Sequence, residues 1–130
     1  MIPVATVLER GRAHAVRLMT DTCTITRITG TTIADNGDTS PTTTEVYDGP
    51  CRVRPRQTQD RMVEHGGAEV GVGDLVVSLP ISATGIEPGD LVTITASAYD
   101  ADTVGRRMTV LGAVHGSQVT ARRVTCQEVR

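Results

Sequence analysis

From Asp21 onward the chain runs in short stretches of period two, each closed by a Gly, Pro, Asn or Asp turn. That pattern belongs to β-strands whose alternate side chains face a core. In residues 21–27, Cys23, Ile25 and Arg27 alternate with Thr22, Thr24 and Thr26. β-branched residues fit a pleated surface and lose rotamer freedom in a helix. The chain holds 20 Thr and 17 Val, with no Phe and no Trp. Val, Ile and Leu together are 30 of its 130 residues, so the expectation is a single domain, 1–130, with a modest core of small side chains.

The order of runs predicts a mainly β protein: a small β-barrel of about six strands over 21–129, one N-terminal α-helix, and a long loop after the second strand. The helix is expected over 3–19, where Val4, Val7, Leu8, Ala15, Leu18 and Met19 share a face and Pro3 suits a first turn. Gly11 weakens it, and so short an amphipathic helix must lie against its own barrel or a neighbouring subunit. Residues 29–44 hold seven Thr and the turn signal Asn36-Gly37, which predicts an exposed hairpin or long loop. The second strand covers 45–47 and, after a break at Gly49-Pro50, 51–54; Pro55 ends it. Residues 56–73 are polar, Gly-containing and too long for an ordinary connection, as functional or mobile loops are. Further strands are expected at 75–79, 91–95, 107–111 and 118–129. Glu87-Pro88-Gly89-Asp90 fits a type II turn. The last run changes phase across Arg122-Arg123, which predicts a β-bulge or bend there.

Composition excludes several classes of function. No stretch approaches the ~20 apolar residues of a membrane span, and the first twelve residues lack the order of a secretory signal. A pI near 5.9 and a net charge of −2 argue against a dedicated nucleic-acid binder. Cys23, Cys51 and Cys126 are odd in number and widely spaced, so no disulfide framework is implied. With His14, His65 and His115 they lack the close ligand pairs of a zinc site, and buried free thiols are the better account. Asp100-Ala101-Asp102 and Asp35-Asn36-Gly37-Asp38 resemble fragments of calcium loops, but Asp is also a turn residue and the full pattern is missing. No nucleophile elbow is present, so no catalytic residue, metal or cofactor is expected. The arginines fall into groups, Arg52, Arg54 and Arg56, then Arg106-Arg107, then Arg122-Arg123, which against 15 acids read as surface or inter-subunit ion pairs.

The order of segments carries a resemblance. A helix precedes the strand Thr22-Cys-Thr-Ile-Thr-Arg27 and a Thr/Gly hairpin. Val46-Tyr-Asp-Gly-Pro-Cys-Arg-Val-Arg-Pro55 and a Gly-rich loop follow. The closing elements are Val76-Val-Ser-Leu-Pro80, the turn-strand from Gly89-Asp90, a strand at Gly105-Arg-Arg-Met-Thr-Val110, and Ala121-Arg-Arg-Val-Thr-Cys126. From Asp21 to Val129 this resembles the head-closure or stopper family of head-to-tail connectors in long-tailed bacteriophages.

The resemblance implies a structural virion protein of the neck, made in the host cytoplasm and not an enzyme. Such proteins form a homo-oligomeric ring, usually a dodecamer, with a portal or head-tail adaptor above and a tail terminator or tail tube below. Genomic DNA passes through the lumen without sequence-specific binding, which mild acidity suits. The tunnel-closing loop of that family corresponds to 56–73, so its candidate residues are Arg56, Gln57, Gln59, Asp60, Arg61, Glu64, His65 and Glu69. Asp60, Glu64 and Glu69 are expected toward the lumen, with Arg56, Arg61 and His65 pairing across subunits. Arg52, Arg54, Arg106, Arg107, Arg122 and Arg123 are the candidate inter-subunit contacts. The long helix leaves an adaptor- or terminator-like role as the alternative. Two rivals from other classes are an OB-like barrel binding single-stranded nucleic acid and an enzyme using Cys and His.

Overall fold

The computed structural model describes residues 3–55 and 74–129. A helix, α1 (Val4–Arg17), leads into β1 (Asp21–Ile33) and β2 (Thr39–Pro55). Then follow β3 (Asp74–Leu79), β4 (Leu91–Ser97), a 3-10 turn at Ala101–Thr103, β5 (Arg107–Ala113) and β6 (Arg122–Val129). All pairings are antiparallel, and the strands close into a barrel in the order β1-β2-β3-β6-β5-β4. The expected mainly β barrel with one N-terminal helix is therefore the fold.

A six-stranded barrel is narrow, and side chains fill it. Its interior holds Cys23, Ile25, Val77, Ile94, Met108 and Val124, all fully buried, with Cys51, Leu79, Val92 and Cys126 completing the layers. None is aromatic. The shortage of Phe and Trp is thus a match to a thin lumen, which small branched residues fill without voids. Tyr47 sits half-buried at the edge of this core and donates from its hydroxyl to the Pro50 carbonyl at 2.6 Å. It shields the one place where β2 passes through Gly49-Pro50. The strand runs on through that pair instead of breaking there.

Beyond the barrel wall β1 and β2 continue as a two-stranded ribbon, paired from Thr26↔Glu45 to Ile33↔Thr39. Residues 28–45 are exposed throughout. The ribbon turns at Gly37, whose φ of +90° only Gly adopts easily. It is held by Thr hydroxyls, Thr32 to Thr42 at 2.8 Å and Thr29 to the Thr42 carbonyl at 3.3 Å. Thr gives the β-branched shape without the apolar surface that would need a core.

Two expectations need correction. The sixth strand begins at Arg122 instead of 118, so Ala121 and Val124 do not belong to one continuous pleat. The bulge lies across from it, on β5: Val110 faces Cys126 and Gly112 faces Thr125, leaving Leu111 as the extra residue. The helix, in turn, has no buried residue. It touches the 117–121 segment where Gly11 passes Thr120 and where Arg12 Nε donates to the Val119 carbonyl at 3.2 Å. The half of its apolar stripe that bears Val4, Val7 and Leu18 stays exposed.

Candidate functional site: an arginine-lined groove and a projecting hairpin

Alternation along β2 puts Arg52 and Arg54 on its outer face. The strand order then brings in a third guanidinium. Arg52 pairs with Ser78 on β3, and Ser78 pairs with Arg123 on β6, so Arg52 and Arg123 stand in one row across the sheet, with Arg54 two residues further along β2. The C-terminal half of α1 lies beside this row, and between them is a groove of about 180 Å³. Its helical wall is His14, Ala15, Leu18 and Met19; its floor is Ser78 and Ala121; its lip is Arg52, Arg54 and Arg123. Among the described residues no carboxylate pairs with these three arginines, and the Arg54 Nε is buried without a hydrogen-bond partner. A buried donor left unpaired is uncommon in native proteins and marks a place where an acceptor is missing.

Two of the other candidate arginines, Arg106 and Arg122, are engaged within the chain. Arg106 pairs with Glu128 and donates from Nε to the Asp102 carbonyl at 3.0 Å. That pair lines a second hollow, of about 310 Å³, with Val53, Leu75 and Met108. Arg122 donates to the Val114 carbonyl at 3.2 Å and meets the His115 ring at 3.2 Å. Arg107 is exposed at the start of β5. The loop candidates Arg56, Gln57, Gln59, Asp60, Arg61, Glu64, His65 and Glu69 lie outside the described residues.

One pair escaped the sequence reading. Asp90 is buried and takes a two-point grip from Arg27, Nε to Oδ1 and Nη2 to Oδ2, both at 2.9 Å. It also accepts the Glu87 amide at 2.9 Å, and Gly89 in the turn has a φ of +95°. Burial alone would push the Asp90 carboxyl up, but the Arg27 fork and the Glu87 N–H outweigh it and hold it below its ordinary value. This is a brace between β1 and the turn before β4.

The two acidic segments that resemble calcium loops are turns. Asp100 caps the 3-10 turn by accepting the Asp102 amide at 3.1 Å, and Asn36 holds Asp38 on both sides of the hairpin tip at 3.0 Å. Among the described residues no three His, Cys, Asp or Glu side chains gather as metal ligands, and no helix is long and apolar enough to cross a membrane. The three cysteines are free and buried. Burial pushes the Cys126 thiol up to about 12, while a hydrogen bond with Cys51, joined by burial, raises Cys23 strongly. Neither is a thiolate nucleophile at neutral pH.

The match to known proteins spans nearly the same residues as the fold. Residues 11–127 fit the family described as "Family of unknown function (DUF6093)". The chain belongs to the DUF6093 family. No curated protein matches it. The solution structure of protein SF1141 from Shigella flexneri 2a is similar to this DUF6093 chain, at 17% identity and a TM-score of 0.56 over 85% of this chain and 92% of that one. At that identity the likeness concerns the fold alone.

Proposed function

We propose that this DUF6093 protein is a structural head-to-tail connector of a tailed phage, a stopper subunit that forms a ring in the virion neck and carries no catalytic activity. One observation carries the reading: the barrel completes its core alone, yet leaves a 14-residue helix with no buried residue and a hairpin exposed along 28–45. Ordered elements with so little intramolecular packing gain their stability from partners. The order of segments, which resembles the stopper family, supports reading that assembly as a neck ring. A filled barrel cannot pass DNA through its own lumen, so the tunnel of such a ring lies between subunits.

The test is localisation in virions of a phage encoding the chain. Gold-labelled antibody should mark one site between capsid and tail, and deletion of the gene should give DNA-filled heads that leak and lack tails. Virions without the protein, or intact infectious particles after deletion, overturn the reading.

A further inference from the structure

We infer that the hairpin tip of one copy seats its carboxylates in the arginine-lined groove of the next copy. This rests on the ring reading and names the contact that would build the ring. Three observations support it. The groove offers three guanidinium groups that pair with no acid among the described residues, beside an apolar wall of Ala15 and Leu18. The tip offers the complement: Asp35 and Asp38 flank the turn, and next to them Ile33 is 72% exposed. A carboxylate meeting a guanidinium fork gains paired, charge-assisted hydrogen bonds, and Arg54 Nε has no such acceptor among the described residues.

The two surfaces cannot meet within one molecule. Thr39 and Arg52 sit at opposite ends of β2, and the strand between them spans roughly 40 Å at its ordinary rise. Tip and groove are also different surfaces, so the contact is head-to-tail. Such contacts propagate around a ring when the rotation closes. The ribbon favours the same partner in a second way. Past Thr26 on β1, and before Arg52 on β2, its outer edges have no strand beside them among the described residues. A neighbouring chain laid along it can cover an edge as well as the tip.

The occupant is therefore a second copy of this chain and not phosphate. Arginine forks bind phosphate as well as carboxylate, but helix N-termini, which strengthen many phosphate sites, do not line this groove. This groove is lined by the C-terminal half of α1, whose dipole opposes a compact dianion more than two separate carboxylates, and its apolar wall suits the exposed Ile33 beside the tip.

Self-association of the full chain at low salt, followed by sedimentation velocity, tests this directly. Asp35→Asn with Asp38→Asn, and separately Arg54→Met with Arg123→Met, should each weaken association by about tenfold or more. The charge-swapped pair, Asp35→Arg/Asp38→Arg mixed with Arg54→Glu/Arg123→Glu, should restore it. The tip variants lie in an exposed turn, so they keep the barrel intact for the comparison. For position, Ala34→Cys and His14→Cys in one chain, bridged by a short bis-maleimide, should give a ladder of oligomers. The native thiols are buried and stay silent.

Three outcomes overturn the inference: a chain that remains monomeric at millimolar concentration in low salt, association indifferent to both double variants, or inorganic phosphate shifting the Arg54 Nε resonance while association does not. Virion rings without tip-to-groove cross-links also overturn it, and leave the neck reading standing. Tip-to-groove ladders from a protein absent from virions support the contact and remove the neck reading.

Discussion

Arg27 grips Asp90 through both carboxylate oxygens, and with one exposed edge it also donates to the Gly85 carbonyl at 2.5 Å. One arginine on β1 thereby fixes the segment between β3 and β4 at two points. Asp90 continues the chain of contacts, since its own carbonyl accepts the Val110 amide at 2.8 Å and Gly89 donates to the Val110 carbonyl at 2.9 Å. The brace thus links β1, the turn and β5 across the place where the barrel closes.

Asp90→Ala should lower unfolding stability by about 2–3 kcal/mol, because a buried acceptor of charged hydrogen bonds is lost and the Glu87 N–H is left without a partner. Urea titration of both proteins measures this, with an unchanged slope showing that the denatured state is unaffected. An effect below about half a kcal/mol would show the brace to be ornamental, as exposed pairs usually are.

The same pair sets part of the acid limb. The folded Asp90 carboxyl lies below its ordinary value near 3.8. A lowered folded value means the contribution is complete above the unfolded value and is lost as pH falls from there through the lowered one. Thermal melts from pH 6 down to pH 2 should therefore show a steeper loss for the natural chain than for Asp90→Asn. Parallel acid limbs would mean that Asp90 titrates alike in both states.

Much of the barrel was legible in the chain because local chemistry and global fold agree there. Asn36-Gly37 and Pro88-Gly89 announce turns that Gly37 and Gly89 complete at positive φ. The alternation through Cys23 and Ile25 marks a buried face that is indeed fully buried. Asp90 was not legible, since an Asp after Pro-Gly reads as a solvated turn and its partner Arg27 lies far away in sequence. The bulge was misplaced because a phase change in β6 and an extra residue in β5 leave the same trace in one strand's pattern. Alternation put Arg52 and Arg54 on one face, but Arg123 joins them only because β3 lies between β2 and β6.

The thiols provide a test of the core. Cys23, Cys51 and Cys126 are fully buried, so an aromatic disulfide reagent at pH 8 should report almost no thiol in the native protein and three on unfolding. Cys126→Val should fold with a change under about 1.5 kcal/mol, as near-isosteric apolar swaps do. Cys126→Ser should cost about 1–3 kcal/mol, because the hydroxyl meets few partners there. Rapid native labelling of a full equivalent would place one cysteine outside the barrel.

Gly11 gives a prediction that runs against helix propensity. Ala in place of Gly in a helix interior ordinarily gains about 1 kcal/mol. Here an added Cβ would sit 2.9 Å from the Thr120 methyl, where α1 passes closest to the 117–121 segment. Gly11→Ala should therefore fail to stabilise the chain and should lift the helix, shifting the Arg12 and Val119 amide resonances. Gly11→Ala paired with Thr120→Ser, which removes that methyl, should recover the gain. If Gly11→Ala alone raises the melting temperature, the helix does not pack where the structure puts it.

The ribbon separates folding from assembly. No residue in 28–45 is buried, and the core ends at Ile25 on one strand and Val46 on the other. Replacing residues 29–42 by a two-residue Asn-Gly turn joins Ile28 to Thr43, which already face each other, and so keeps the barrel strands and their register; such turns match the strand twist. The shortened chain should melt within a few degrees of the natural one, since only an exposed ribbon that buries nothing is removed. It should nonetheless lose self-association and, in virions, incorporation. A shortened chain that unfolds would make the ribbon part of the barrel's own stability, whereas one that assembles normally would remove the hairpin from the contact between copies.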